Sequence, residues 1–117
     1  MEPDLTRTDV IKLIAIATKP LDLTGVNLSK TNLSNLNLSG ANLADANLSY
    51  TNLYRTKLSG ANLWQTNLRG ANLNYADLMG ADLRFADLSV ADLSGAQVSL
   101  ADLDLTDLYG AKGIKTP

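Results

Sequence analysis

From Leu21 to Gly110 the chain repeats every five residues, eighteen times without a gap. Each unit is centred on a leucine, here called position i, which recurs from Leu23 to Leu108 with only Val98 departing from it. Position i−2 is alanine ten times, threonine at 31, 51, 56, 66 and 106, and a larger residue at Leu21, Val26 and Leu36. Position i−1 is Asn or Asp, apart from Lys57 and Gln97. Positions i+1 and i+2 vary and are mostly polar.

Apolar residues therefore fall at gaps of two and then three. A helix advances about 100° per residue, so a step of five carries the leucines around the helix and leaves no apolar stripe. A strand has a period of two and keeps i−2 and i on one face. The gap of three breaks that alternation, so the chain turns a corner once per unit. Seven of the eight glycines stand at i+2: Gly25, Gly40, Gly60, Gly70, Gly80, Gly95 and Gly110. Glycine reaches positive φ without steric cost and so marks the corner. Lys30, Asn35 and Asp45 occupy the same slot, so glycine is not demanded at every corner. Strand and corner in alternation wind into an all-β solenoid, with Leu and Ala or Thr inward and the other three positions outward. The inward threonine hydroxyls then need partners, and backbone carbonyls are the acceptors within reach.

The units beginning at Ala41, Ala46, Ala61, Ala71, Ala76, Ala81, Ala86, Ala91 and Ala101 all read Ala-Asn/Asp-Leu. This pattern resembles the pentapeptide-repeat family over about three quarters of the chain. The resemblance implies a right-handed quadrilateral β-helix with four units per coil. The periodicity itself leaves the number of sides and the hand open. With four sides, residues twenty apart stack at roughly 4.8 Å, and residues 21–110 make about 4.5 coils.

Residues 1–20 form a separate N-terminal segment. Thr6-x-x-Asp9 reads as a capping box, with Asp in place of Glu. Val10, Leu13, Ile14 and Ala17 lie at helical spacing, Ile11 widens the face, and Pro20 ends it. The reading is a short capping α-helix over residues 5–19 that covers the open first coil and its strand edge. Its alternative is a docking helix for a partner or a membrane surface. Leu21, Val26 and Leu36 fill space beneath it. Residues 111–117 form a C-terminal tail that either folds over the last coil or leaves it open for a homodimer. Lys112 stacks on Asp92 in this register.

Two outward clusters are candidate protein-binding surfaces. On the face containing Leu63, Trp64 and Arg84 are expected to form a cation–π pair, with Arg84 also reaching Asp104, and Phe85, a further candidate, is expected to stack under Leu105 in the outward i+2 column. On the opposite face Arg55 and Tyr75 stack, with Tyr50 and Tyr54 nearby. Exposed aromatics beside arginine have the chemistry of binding hot spots; the plainer reading is a set of surface ladders supporting the coil. Position i−1 changes from Asn to Asp at Asp77, Asp82, Asp87 and Asp92, one on each of four successive faces. Asp82 over Asp102 and Asp87 over Asp107 are like-charge stacks of the kind that raises a carboxylate pKa. Solvated repeat letters are the plainer account of them.

Composition narrows function by exclusion. The chain has no His and no Cys, which excludes metal sites built on them, His-based acid–base catalysis and Cys nucleophiles. It has no glycine-rich phosphate loop and no nucleophile–base spacing, so no enzyme, no catalytic residue and no cofactor are expected. The net charge of −2 is too balanced to call for nucleic acid or a membrane. No apolar run spans a bilayer. The acidic-leaning start and Lys12 do not suit a signal peptide, which points to the cytoplasm. Regular threonines lie inward, against an ice-binding array. The expected function is a non-enzymatic protein-binding, scaffold or regulatory module with an unknown protein partner, monomeric or a C-terminal homodimer. The alternative is a DNA mimic that binds a type II topoisomerase, as the family resemblance allows. It wants acids dense along one face, and these form rings mixed with Arg69 and Arg84.

Overall fold

The computed structural model describes residues 2–114. Fifteen parallel bridges each join an i−1 residue to the one twenty further on, from Asp22–Asn42 to Asp92–Lys112. A chain that turns every five residues and returns to register every twenty has four sides. The first face runs through Asp22, Asn42, Asn62, Asp82 and Asp102, and the second through Asn27, Asn47, Asn67, Asp87 and Asp107. The third runs through Asn32, Asn52, Asn72, Asp92 and Lys112, and the fourth through Asn37, Lys57, Asp77 and Gln97.

One unit shows how the backbone is satisfied. Leu43 N–H donates to the Asn62 carbonyl at 2.8 Å, Asp45 N–H to that of Trp64 at 3.1 Å, and Asn62 N–H to that of Ala41 at 3.0 Å. The corner is closed by Ala46 N–H donating to the Leu43 carbonyl at 3.0 Å. Only the third residue of that four-residue turn, Asp45, has positive φ, at 60°, which is the type II pattern. All eighteen corner residues share this conformation, and eleven of them are not glycine. Glycine is thus the strain-free occupant, but the fold imposes left-handed φ on whichever residue stands there, from Val90 at 52° to Asn35 at 63°.

The core is a stack of inward leucines. Those from Leu28 to Leu88 are essentially sealed from solvent, and the i−2 alanines beside them are as well. Burial of each leucine contributes roughly 1.5–3 kcal/mol. The inward threonines find backbone carbonyls, in two ways. Thr31 and Thr51 donate within their own coil, to Leu28 and Leu48 at 2.6 Å. Thr56 and Thr66 donate to Leu33 and Leu43 of the preceding coil at 2.8 Å, and Thr106 to Leu83 at 2.6 Å.

The helix α1 spans Arg7–Ile16. The Thr6–Asp9 capping box starts it in both directions: Asp9 N–H donates to Thr6 Oγ1 at 3.2 Å, and Thr6 N–H to the Asp9 carboxylate at 2.9 Å. It ends earlier than Pro20, because Ala17 turns extended once its N–H has bonded Ile14. Its buried side is also narrower than the spacing suggests. Val10 is sealed and Leu13 and Ile14 pack on the solenoid core, while Ile11, Ile16 and Ala17 face outward. The first coil's free edge is met by the N-terminal segment. Asp4 N–H donates to the Asn27 carbonyl and Asn27 N–H to the Asp4 carboxylate, both at 2.7 Å. Arg7 donates to the carbonyls of Asn32 and Ser34 at 3.0 Å. Leu21, Val26 and Leu36 are half-buried against the core.

At the other end, Ala111 and Lys112 do not fold across the last coil. They continue it: Leu93 N–H donates to the Lys112 carbonyl at 2.8 Å and Lys112 N–H to that of Ala91 at 2.9 Å. Gly113 then runs close against the Leu93–Ser94 backbone and Ile114 is half-buried against the core, while residues 115–117 of the expected tail lie outside the described residues. Val98, Leu103 and Leu108 are half-buried, and Leu100 is 90% exposed. No helix among the described residues is long and apolar enough to cross a membrane.

Candidate protein-binding faces

The outward surface is organised by the i−1 side chains. In every unit where i−1 is Asn or Asp, its Oδ1 accepts from the backbone N–H two residues on. Asn52 takes Tyr54 N–H at 3.0 Å, Asn62 takes Trp64 N–H at 3.0 Å, and Asp82 takes Arg84 N–H at 3.1 Å. These Asx turns preset the corner that follows. Only an oxygen is needed, so Asn and Asp do the same structural work and differ in charge. The repeating letter is plain in the sequence; this role for it was not read there.

The third face carries one cluster. Arg55 Nε donates to the Tyr54 hydroxyl at 3.0 Å. Its guanidinium carbon lies 5.4 Å from the ring centres of both Tyr54 and Tyr75. The two rings meet edge to face, 6.0 Å apart at 79°. The hydrogen bond to Tyr54, aided by the electrostatics of both tyrosines, makes Arg55 hold its proton more tightly than usual. Tyr50 stands at the other corner of the same face, and its ring lies over Gly70. The structure therefore brings Tyr54, Arg55 and Tyr75 together at one corner of the third face and leaves Tyr50 at the opposite corner.

The first face differs from the expectation. Trp64 does not pair with Arg84. It meets Phe85 edge to face, with centroids 5.8 Å apart and planes at 70°. Arg84 instead forks onto Asp82, Nε to Oδ1 at 2.9 Å and Nη2 to Oδ2 at 2.8 Å, and its second carboxylate is Asp102 at 3.7 Å rather than Asp104. A bidentate carboxylate two residues away outcompetes an indole face for the guanidinium. The same pairing reverses the expected effect of the Asp82–Asp102 stack. The Arg84 hydrogen bonds hold the Asp82 carboxyl below the usual carboxylate value, not above it. Asp92 is also lowered, by the hydroxyl and amide of Ser94.

A cleft of about 310 Å³ lies between the end of α1 and the fourth face, lined by residues such as Lys19, Pro20, Asn37 and Ser39. Among the described residues no three acidic side chains converge in a way that could hold a metal ion.

A four-sided parallel coil with a leucine core, Asx-turn corners and a variable surface defines a β-helical repeat protein. The family model described as pentapeptide repeats (8 copies) matches over residues 22–60, 46–84 and 81–112, and the chain belongs to that family. Its members form right-handed quadrilateral β-helices. The crystal structure of the pentapeptide repeat protein Rfr23 from the cyanobacterium Cyanothece 51142 is similar at 43% identity and a TM-score of 0.66, covering 83% of this chain and 63% of that one. This chain thus spans less than two thirds of that protein. The pentapeptide repeat protein alr5209 from Nostoc PCC 7120 is similar over 96% of this chain and 98% of its own, at 30% identity and a TM-score of 0.53. Trypsin-treated QnrB1, a plasmid-mediated fluoroquinolone resistance protein, matches at 20% identity and a TM-score of 0.55, covering 79% of this chain and 52% of its own, which is a likeness of fold. No curated protein sequence matches the chain.

Proposed function

We propose that this protein is a non-enzymatic protein-binding module, a rigid solenoid whose third face receives the partner and whose α1 caps the first coil. One observation carries the reading. Tyr50, Tyr54, Arg55 and Tyr75 share the third face, and their arginine has no carboxylate partner among the described residues. The Trp64–Phe85 pair on the first face is a weaker candidate, because its arginine is already neutralised by Asp82. Tyrosine and arginine held on a stiff backbone are suited to binding, since little side-chain freedom remains to be lost.

Nothing specific favours the topoisomerase reading. The likeness to QnrB1 is one of fold, and the acids here lie on all four faces, with Asp82 and Asp102 beside Arg84.

The test is affinity capture from the source organism's lysate with the wild type and a Tyr54→Ser, Arg55→Gly, Tyr75→Gly variant. These replacements use letters the repeat already carries at those slots, so the coil is kept. A partner held by the wild type and released by the variant is the expected result. A partner held equally by both, or none at all, would overturn the proposal.

A further inference from the structure

The third face is electrostatically unlike the other three. Through its first three coils its ladder is Asn32, Asn52 and Asn72, and neither that ladder nor the corners bounding it carry an acid before Asp92. The first face has Asp22 there, the second is entered past Asp45, and the fourth carries Asp77. The Oδ1 atoms of the three asparagines are occupied by the amides of Ser34, Tyr54 and Asn74, which leaves their Nδ2 groups as donors. Lys30 and Arg69 stand at the preceding corner and Arg55 at the following one.

Arg55 is the focus of this surface. The other arginines are engaged at their terminal nitrogens: Arg7 on the Asn32 and Ser34 carbonyls, Arg69 on Ser89, and Arg84 on Asp82. Arg55 uses only Nε, on Tyr54, and is braced by two tyrosine rings. Nη1 and Nη2 have no hydrogen-bond partner among the described residues. A guanidinium with its stem fixed and its outer nitrogens free is shaped for a planar oxyanion, which it grips with two parallel bonds. It also occupies a corner, at φ 56°, where glycine would be unstrained, so the fold gives no reason for an arginine there.

We propose that Arg55 anchors a carboxylate of an acidic protein segment laid along the third face, with the asparagine Nδ2 groups as further donors and Tyr50, Tyr54 and Tyr75 receiving the apolar parts of that segment. This rests on the protein-binding reading and names the partner's chemistry. A protein carboxylate is favoured over a phosphate backbone because the tyrosines add apolar contact area and the whole chain carries a net charge of −2.

The test is a side-chain nitrogen NMR titration of the intact protein. The probe is a terminally blocked peptide of alternating Glu and Leu, with its Gln–Leu counterpart and inorganic phosphate as comparisons. The Glu peptide should shift the Arg55 Nε–H signal saturably while Arg84 stays put, and the Gln peptide should bind at least about tenfold more weakly. Arg55→Lys, which keeps the charge and loses the fork, should weaken binding at least about fivefold. Tyr75→Gly, which keeps the arginine and loses a brace, should weaken it severalfold. An unmoved Arg55, equal affinity in Arg55→Lys, or phosphate matching the Glu peptide would each overturn the proposal. A lysate partner lost by the triple variant beside an unmoved Arg55 would leave the protein-binding reading standing and remove only the acidic anchor.

Discussion

Trp64 and Phe85 meet edge to face across neighbouring coils, with ring centroids 5.8 Å apart. They are twenty-one residues apart, not twenty, and the Tyr54–Tyr75 pair has the same offset. An i+1 side chain thus leans onto the i+2 residue of the next coil. A double-mutant cycle should give Trp64 and Phe85 a coupling of about 0.5–1.5 kcal/mol. The cycle of Trp64 with Arg84, measured by chemical denaturation, should give a coupling near zero. The reverse order would restore the cation–π ladder.

Glycine at a corner serves φ alone in some coils and φ plus contact in others. A Cβ on Gly60 would meet nothing within 4 Å, whereas one on Gly95 would fall 2.6 Å from Tyr75 Cδ1. Gly60→Ala should cost about 1 kcal/mol, from left-handed φ. Gly95→Ala should cost about 1 kcal/mol more, and that excess should vanish in a Tyr75→Ser background. Equal melting temperatures for the two single variants would contradict the tyrosine stack.

Leu100 holds φ 62° and is 90% exposed, so it bears backbone strain with almost no burial in return. Leu100→Asn keeps a residue that tolerates this region and should stabilise the fold by about 0.5–1 kcal/mol. Thermal unfolding checks it, and a lower melting temperature would show that Leu100 packs on something.

The Asp82–Arg84 pair sets a pH dependence. The Asp82 carboxyl is lowered in the folded chain by hydrogen bonds from Arg84. Between its folded and unfolded pKa values the unfolded chain binds the extra proton, so stability rises with pH through that window. The contribution is complete above the unfolded value and is lost as pH falls through the folded one. Arg84→Gln should move the Asp82 NMR titration midpoint upward and flatten the acid limb of stability. An unmoved midpoint would show that Arg84 is not the cause.

The architecture was legible because each inward letter obeys one rule. Leucine at i, a small residue at i−2 and glycine clustered at i+2 describe a strand and a corner, and the need of Thr56 or Thr66 for a carbonyl follows from burial. Surface contacts were less legible. Stacking like positions at twenty residues brings Arg84 over Trp64 on paper. A long side chain goes to its best partner within reach, which for Arg84 is the Asp82 carboxylate. The i−1 letter was visible but mute: Asn52 and Asp82 look like polarity, and only the Tyr54 and Arg84 amides they accept from show that it is the shared side-chain oxygen that these corners use. The end of α1 at Ile16 was missed because the segment Ala17–Lys19 has no strong breaker before Pro20.

That equivalence of Asn and Asp separates fold from function in one substitution. Asn52→Asp keeps the oxygen that accepts from Tyr54 N–H and places a negative charge in the acid-free stretch beside Arg55. The measurement is the affinity of the blocked Glu–Leu peptide for this variant, with its melting temperature read alongside. The expected result is a melting temperature within about 2 °C of wild type and an affinity at least about tenfold weaker. An unchanged affinity in a folded variant would contradict the claim that the third face receives an acidic partner.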